Sequence, residues 1–165
     1  KDAFRGNADA VNKLSEADKL LAEYEAKIAK FKADLGDRLA ERTVTLIRPR
    51  ADHIRIHLDG SFSGAIVAEA GLPRPAAHNG VKEHHVAITE EQIGDMDADV
   101  ILTFGRESEA DYFEGKIKTN PLWQTLRAVQ NDEVHALNWE VWLSGQGIQA
   151  ANRIVDDLNA IFVVD

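Results

Sequence analysis

The chain has 165 residues, 44% hydrophobic and 28% charged, with 28 acidic against 19 basic side chains and a net charge of −9. That length suits one globular domain, which hides roughly two thirds of its surface on folding. The acidic surplus argues against binding nucleic acid through phosphate neutralisation. The lack of cysteine excludes disulfides, thiolate metal sites and a cysteine nucleophile.

Taken in chain order, Lys1 to Gly6 are followed by no apolar stretch of the kind that marks a signal peptide. No apolar run anywhere approaches a membrane span. Residues 1–40 carry eight basic and eight acidic groups, so the whole net charge falls in residues 41–165. The two regions therefore have different jobs. Leu14, Leu21, Ile28 and Leu35 recur every seven residues, with Ala17, Tyr24 and Phe31 between them. This predicts one long helix from about Ala8 to Leu35, stopped by Gly36 and packed on the surface rather than in a coiled coil.

Thr43 to Ile47 is a β-branched run that reads as a buried strand, ended by Arg48-Pro49-Arg50. From His53 to Leu58 the pattern alternates, with Ile54, Ile56 and Leu58 on one face and His53, Arg55 and His57 on the other. That is a half-exposed strand. Asp59-Gly60 is a turn, and Ser61 caps a helix running to about Ala70. Residues 74–87 read as a loop. Thr89 caps a short helix with Glu90 and Glu91 in its first turn. Asp99 to Phe104 is a buried strand, and Glu107 to Phe113 looks helical. Asn120-Pro121 opens another helix, Glu133 to Leu137 is a strand, and Ile148 to Phe162 forms an amphipathic closing helix. Strands alternating with helices predict an α/β fold with a mostly parallel sheet.

Several motifs fail on inspection. Gly145-Gln146-Gly147-Ile148-Gln149-Ala150 matches a dinucleotide fingerprint, but no strand directly precedes it and no acidic strand end follows. Gly60-Ser61-Phe62-Ser63-Gly64 has phenylalanine where a nucleophile elbow needs serine. His53 and His57 are too far apart along a strand for one ion, and neighbours such as His84 and His85 point apart on an extended segment. A pocket uniting His78, His84 and an acid is the one metal arrangement the spacing leaves open. Asp97 and Asp99 read as solvated turn residues rather than an acid/base pair.

Arg106 stands out. It is the only basic residue among ten acids in residues 83–114, and it follows the carboxyl end of a buried strand. Open α/β sheets place ligands at that edge. Arg48 and Arg50 stand at the matching end of the first strand, and Trp139 and Trp142 follow the fourth. Each has a plain structural alternative: an acid partner for the arginines, packing under the last helix for the tryptophans. Their convergence on one rim suits an anionic or flat ligand.

These residues resemble a family. Val44-Thr45-Leu46-Ile47-Arg48-Pro49, Gly60-Ser61-Phe62-Ser63-Gly64, Glu69-Ala70-Gly71-Leu72, Ile88 to Ile93, Asp97 to Leu102 and Asn120 to Val129 are similar, in that order, to the C-terminal lobe of iron-siderophore and cobalamin periplasmic binding proteins. The resemblance implies a three-layer α/β lobe over residues 41–165, preceded by a long inter-lobe helix over residues 1–40. It implies an N-terminal lobe, with its signal peptide and lipid anchor, outside this chain. It implies a monomeric receptor beyond the cytoplasm, in the periplasm or anchored at the cell surface, that hands a ferric siderophore to an ABC permease. No catalysis, protein metal ligand or resident cofactor is expected. The ligand contacts it implies are Arg106, Trp142, Trp139, Phe62, His84 and, more weakly, Arg48. Glu91, with Glu90 beside it, is expected to dock on the permease. Rival readings are a cobalamin or haem receptor of the same fold, a small α/β enzyme, and an interaction module built on residues 8–35.

Overall fold

The N-terminal periodicity produces two helices rather than one. In the computed structural model, which describes residues 1–163, α1 spans Asp2–Ala10 and α2 spans Leu14–Leu35. The chain turns between them at Asn12, whose φ of 57° lies in the left-handed region that asparagine tolerates. The 22 residues of α2 give a rod of about 33 Å. It stops at Gly36, also left-handed with φ 53°. Ala17, Leu21, Tyr24, Ile28, Phe31 and Leu35 are buried as one stripe.

The sheet has five strands: β1 (Val44–Pro49), β2 (Ile54–His57), β3 (His85–Ile88), β4 (Val100–Thr103) and β5 (Val134–Ala136). Their order is β3-β2-β1-β4-β5. β1, β4 and β5 run parallel, while β2 is antiparallel to β1 and β3 is antiparallel to β2. The parallel expectation thus holds for one half of a mixed sheet. Residues 50–53 are too few for a crossover, which needs a dozen or more, so β1 and β2 can only form a hairpin. β3 begins inside the stretch expected to be a loop, residues 74–87. Four residues are too short for a period to show, and pairing with β2 is what makes this segment a strand.

Between the strands, α3 (Phe62–Glu69) begins where Ser61 Oγ accepts from Gly64 N at 3.0 Å. Gly64 has no alternative, because a Cβ there would lie 2.0 Å from the Leu58 carbonyl oxygen. Thr89 and Gln92 form a reciprocal cap on the 3₁₀ turn Glu90–Met96. The helices expected after Glu107 and Asn120 are broken. The chain makes a 3₁₀ turn, a short α4 (Ala110–Tyr112), a π turn (Phe113–Ile117), a second 3₁₀ turn (Trp123–Thr125) and a short α5 (Arg127–Gln130). Extended backbone at Leu126, with ψ 136°, stops the last two from merging. The chain closes with α6 (Ile148–Phe162).

Alternation divides the sheet into two faces. Val44, Leu46, Val100, Leu102 and Phe104 pack under α2, α3 and α6, where Phe31 meets Phe162 edge-on at 6.4 Å. Ile47, Ile54, Ile56 and Ile101 pack against Ile93, Met96, Phe113, Ile117 and Trp123. This is the expected three-layer α/β arrangement. The first core takes no residue from β2 or β3, so half of that face is left to polar side chains. Among the described residues no helix is long and apolar enough to cross a membrane.

Candidate ligand-binding face

The uncovered half-face is built by strand register. Ile54, Ile56 and Ile88 turn to the second core, so Arg55 and His57 of β2, with His53 just before it, and His85 of β3 turn to the other side. Pairing sets His57 opposite His85, and Arg48 of β1 opposite Arg55. An acidic chain has therefore gathered imidazole and guanidinium groups on one patch.

The histidines form a tight group. The His57 ring centroid lies 5.3 Å from His84 and 6.0 Å from His85. His84 and His85 do not point apart as expected; their Nδ1 atoms are 3.2 Å apart. His57 is 2% exposed and neither ring nitrogen has a partner. Burial pushes its pKa down to about 3, helped by the nearby His84, His85, Arg48 and Arg55. Burial and the same arginines also lower His85. Both rings stay neutral near pH 7. His78 lines a cavity with Ile56 and Ile88 on the second-core side, reached from this group only by His85. Among the described residues no group of three or more His, Asp or Glu side chains is arranged to hold a metal ion.

The arginines divide into engaged and free. Arg48 Nη2 donates to Glu109 Oε1 at 2.9 Å, and Arg50 Nη1 donates to the same oxygen at 2.6 Å. The Arg106 backbone N–H donates to Glu109 Oε2 at 3.2 Å. Burial works to raise the Glu109 carboxyl, but these donors outweigh it and hold the group below its ordinary range. Arg48 is thus a buried structural partner, as its plain alternative held. Arg55 and Arg106, among the described residues, have no carboxylate within ion-pair distance. Arg55 Nε reaches only His53 Nε2, at 3.3 Å. The Arg106 guanidinium lies over the Trp139 ring, 4.7 Å from its centroid.

The two tryptophans part company. Trp139 is half-buried beneath Arg106. Trp142 is 1% exposed, stacked on Phe104 at 5.9 Å, and its Nε1 donates to Asp157 Oδ2 at 2.9 Å. Phe104 in turn meets His57 edge-on at 5.1 Å. Trp142 therefore supports the face from below instead of lining it. Phe62, half-buried at the first position of α3, lines a separate apolar hollow of about 330 Å³ with Phe4, Tyr24 and Ile148. His84 is exposed at the patch. Glu91 is exposed in the 3₁₀ turn that follows β3, its Oε2 accepting from Thr89 Oγ1 at 2.6 Å, and Glu90 is half-buried near Tyr112. Asp97 and Asp99, expected as solvated turn residues, both pair with Arg127.

Sequence reasoning missed Arg55, His53, His57 and His85 as members of this face. The signal was present in the polar side of the β2 alternation. It had no destination until β3 was seen to extend that side.

Residues 1–139 match the family model described as periplasmic binding protein. The chain is 30% identical to the probable siderophore-binding lipoprotein YfiY of Bacillus subtilis, over 99% of this chain and 53% of that protein. It is 30% identical to the achromobactin-binding periplasmic protein of Dickeya dadantii, over 90% of this chain and 51% of that one. Among solved structures, it is similar to Staphylococcus aureus SirA, with a TM-score of 0.86 and 25% identity over 99% of this chain and 65% of SirA. SirA complexed with staphyloferrin B matches with a TM-score of 0.84. The chain spans about half the length of the curated relatives it matches.

Proposed function

The chain belongs to the periplasmic binding protein family, and from that premise we propose that it is the C-terminal lobe of a receptor that captures a ferric siderophore and delivers it to an ABC importer. Proteins of this family bind solutes for transport and are not enzymes, and their work lies outside the cytoplasm. The observation that carries the ligand class is the pair of arginines, Arg55 and Arg106, left without carboxylates on an imidazole-rich face of a chain with net charge −9. Ferric carboxylate and catecholate chelates are anionic, and a guanidinium meets such oxygens with charge-assisted hydrogen bonds. Arg106 lying on Trp139 offers a charge and a flat apolar surface together.

In this reading Arg106, Trp139 and His84 contact the chelate, with Arg55, His53 and His85 beside them. Phe62 contributes an apolar contact on the same side of the sheet. Arg48 and Trp142 act from beneath by holding Glu109 and Phe104. The residue 1–40 segment joins this lobe to an N-terminal lobe that closes over the ligand. Glu91, with Glu90, docks on the permease.

The test is tryptophan quenching by a panel of ferric siderophores, cobalamin and haem, with this chain and with a two-lobe protein carrying it. Saturable quenching by an anionic ferric chelate is expected, weakened about tenfold by Arg106→Ala, the loss of one charge-assisted contact. A two-lobe protein that answers cobalamin or haem but no ferric chelate overturns the siderophore reading.

A further inference from the structure

The opposite face of the sheet carries a cavity that shares only His85 with the chelate reading. It holds about 520 Å³ beneath β2 and β3, within the range of small-molecule sites. Ile56, Leu58, Val86 and Ile88 form apolar walls, and His78, Gln92, Glu83 and Asp95 supply the polar groups. His85, at the start of β3, borders it.

His78 is the unusual member. It is 3% exposed, and its Nδ1 is buried without a partner. An unpaired polar atom in that setting costs free energy until something bonds it. Burial lowers the His78 pKa first, and the nearby Arg74 lowers it further, while Asp95 opposes both. The ring is neutral near pH 7. Arg74 does not line the cavity. Its guanidinium donates to the carbonyls of Val44 and His57, and Asp59 faces it at 3.6 Å. The formal charges on the lining are therefore those of Glu83 and Asp95, and no lysine or arginine lines it. Apolar walls with two carboxylates at the rim favour a cation on an apolar body and disfavour an anion of the same shape.

We propose that this cavity is a second binding site, across the sheet from the chelate face, for a small organic cation: a protonated amine carried on an apolar body. The ammonium sits between Asp95 and Glu83. The apolar body lies along Ile56, Leu58 and Ile88. A polar group at its inner end bonds His78 Nδ1. This site has the opposite charge preference to the chelate face, so the two stand or fall separately.

The experiment uses a matched pair of probes, each with a phenol hydroxyl at the end away from its charge, 4-(4-aminobutyl)phenol and 4-(4-hydroxyphenyl)butyrate, titrated into the isotope-labelled chain near neutral pH. Amide shifts at Val86, Ile88 and His78 should saturate with the amine and not with the carboxylate. Asp95→Asn should weaken the amine about fivefold, as expected for losing one of two carboxylates at a partly exposed site. Glu83→Gln should act in the same direction. Quenching by ferric chelates should be unchanged in Asp95→Asn, so a failed chelate titration says nothing against this cavity. Equal binding of both probes overturns the proposal, because apolar burial alone then accounts for it. So does the absence of saturable shifts with the amine, or an amine affinity unmoved by both substitutions.

Discussion

His57 couples the candidate face to acid stability. Its ring is buried and unpartnered, with a folded pKa near 3 against an unfolded value near 6.5. Below about pH 6.5 the unfolded chain takes up a proton that the folded chain refuses. Stability is therefore complete above that pH and falls as pH drops, by roughly 1.4 kcal/mol per unit, until the folded ring also titrates. His57→Gln removes this group, so urea unfolding between about pH 7 and pH 4 should show a shallower decline than the parent chain. Parallel profiles would refute the assignment. Glu109 yields a prediction with two opposite signs. It neutralises Arg48 and Arg50 beneath the face. Glu109→Gln strands a buried guanidinium and should cost about 3 kcal/mol in urea unfolding. The same change removes a negative charge from beside Arg106, so affinity for an anionic chelate should rise a few-fold. A variant that loses stability and affinity together would mean that Glu109 mainly shapes the face.

At the scale of elements, α2 decides how the first forty residues behave. Its stripe is sequestered by α6, and Phe31 is fully buried against Phe162. Phe31→Ala should cost about 4 kcal/mol, the usual loss for a large aromatic in a packed core. A cost below about 1 kcal/mol is what an unpacked connecting rod would show. α3 offers an independent check. Because the Gly64 position meets the Leu58 carbonyl at 2.0 Å, Gly64→Ala cannot be absorbed without moving the β2–α3 connection. It should lower the thermal midpoint by more than Ala65→Gly, made one residue further on at an exposed site.

Across the whole molecule, sign and distance of charge decide how a chain with net charge −9 could hold the anion proposed for it. The bulk of the negative charge would repel an anionic ligand at long range, and salt screens that repulsion beyond about 8–10 Å. The arginine contacts act at hydrogen-bond range and are screened less when the ligand covers them. Raising salt from about 0.05 to 0.5 M should therefore leave chelate affinity nearly level, or lower it by less than about threefold. A loss of ten-fold or more would place the attraction in exposed long-range charge rather than at the contacts. The measurement is the same quenching titration repeated across salt.

Composition and period were enough to read off an α/β domain, the α2 stripe, the Ser61 and Thr89 caps, β1, β2, β4, β5 and the closing helix. These features depend on near neighbours along the chain, and spacing records them directly. The proximity of Arg106 and Trp139 was also legible, since both follow ends of neighbouring parallel strands. What spacing could not record was pairing between distant segments. β3 is a strand only because β2 lies beside it, and that pairing aligns His85 with His57 and extends the polar side of β2 into a face. The partners of Arg48 and Trp142 are likewise remote, with Glu109 sixty-one residues on from Arg48 and Asp157 fifteen on from Trp142. Residue type marked these side chains as able to bind a ligand. Which of them kept that capacity was decided by tertiary contacts, because a charge or ring already paired and buried has nothing left to offer.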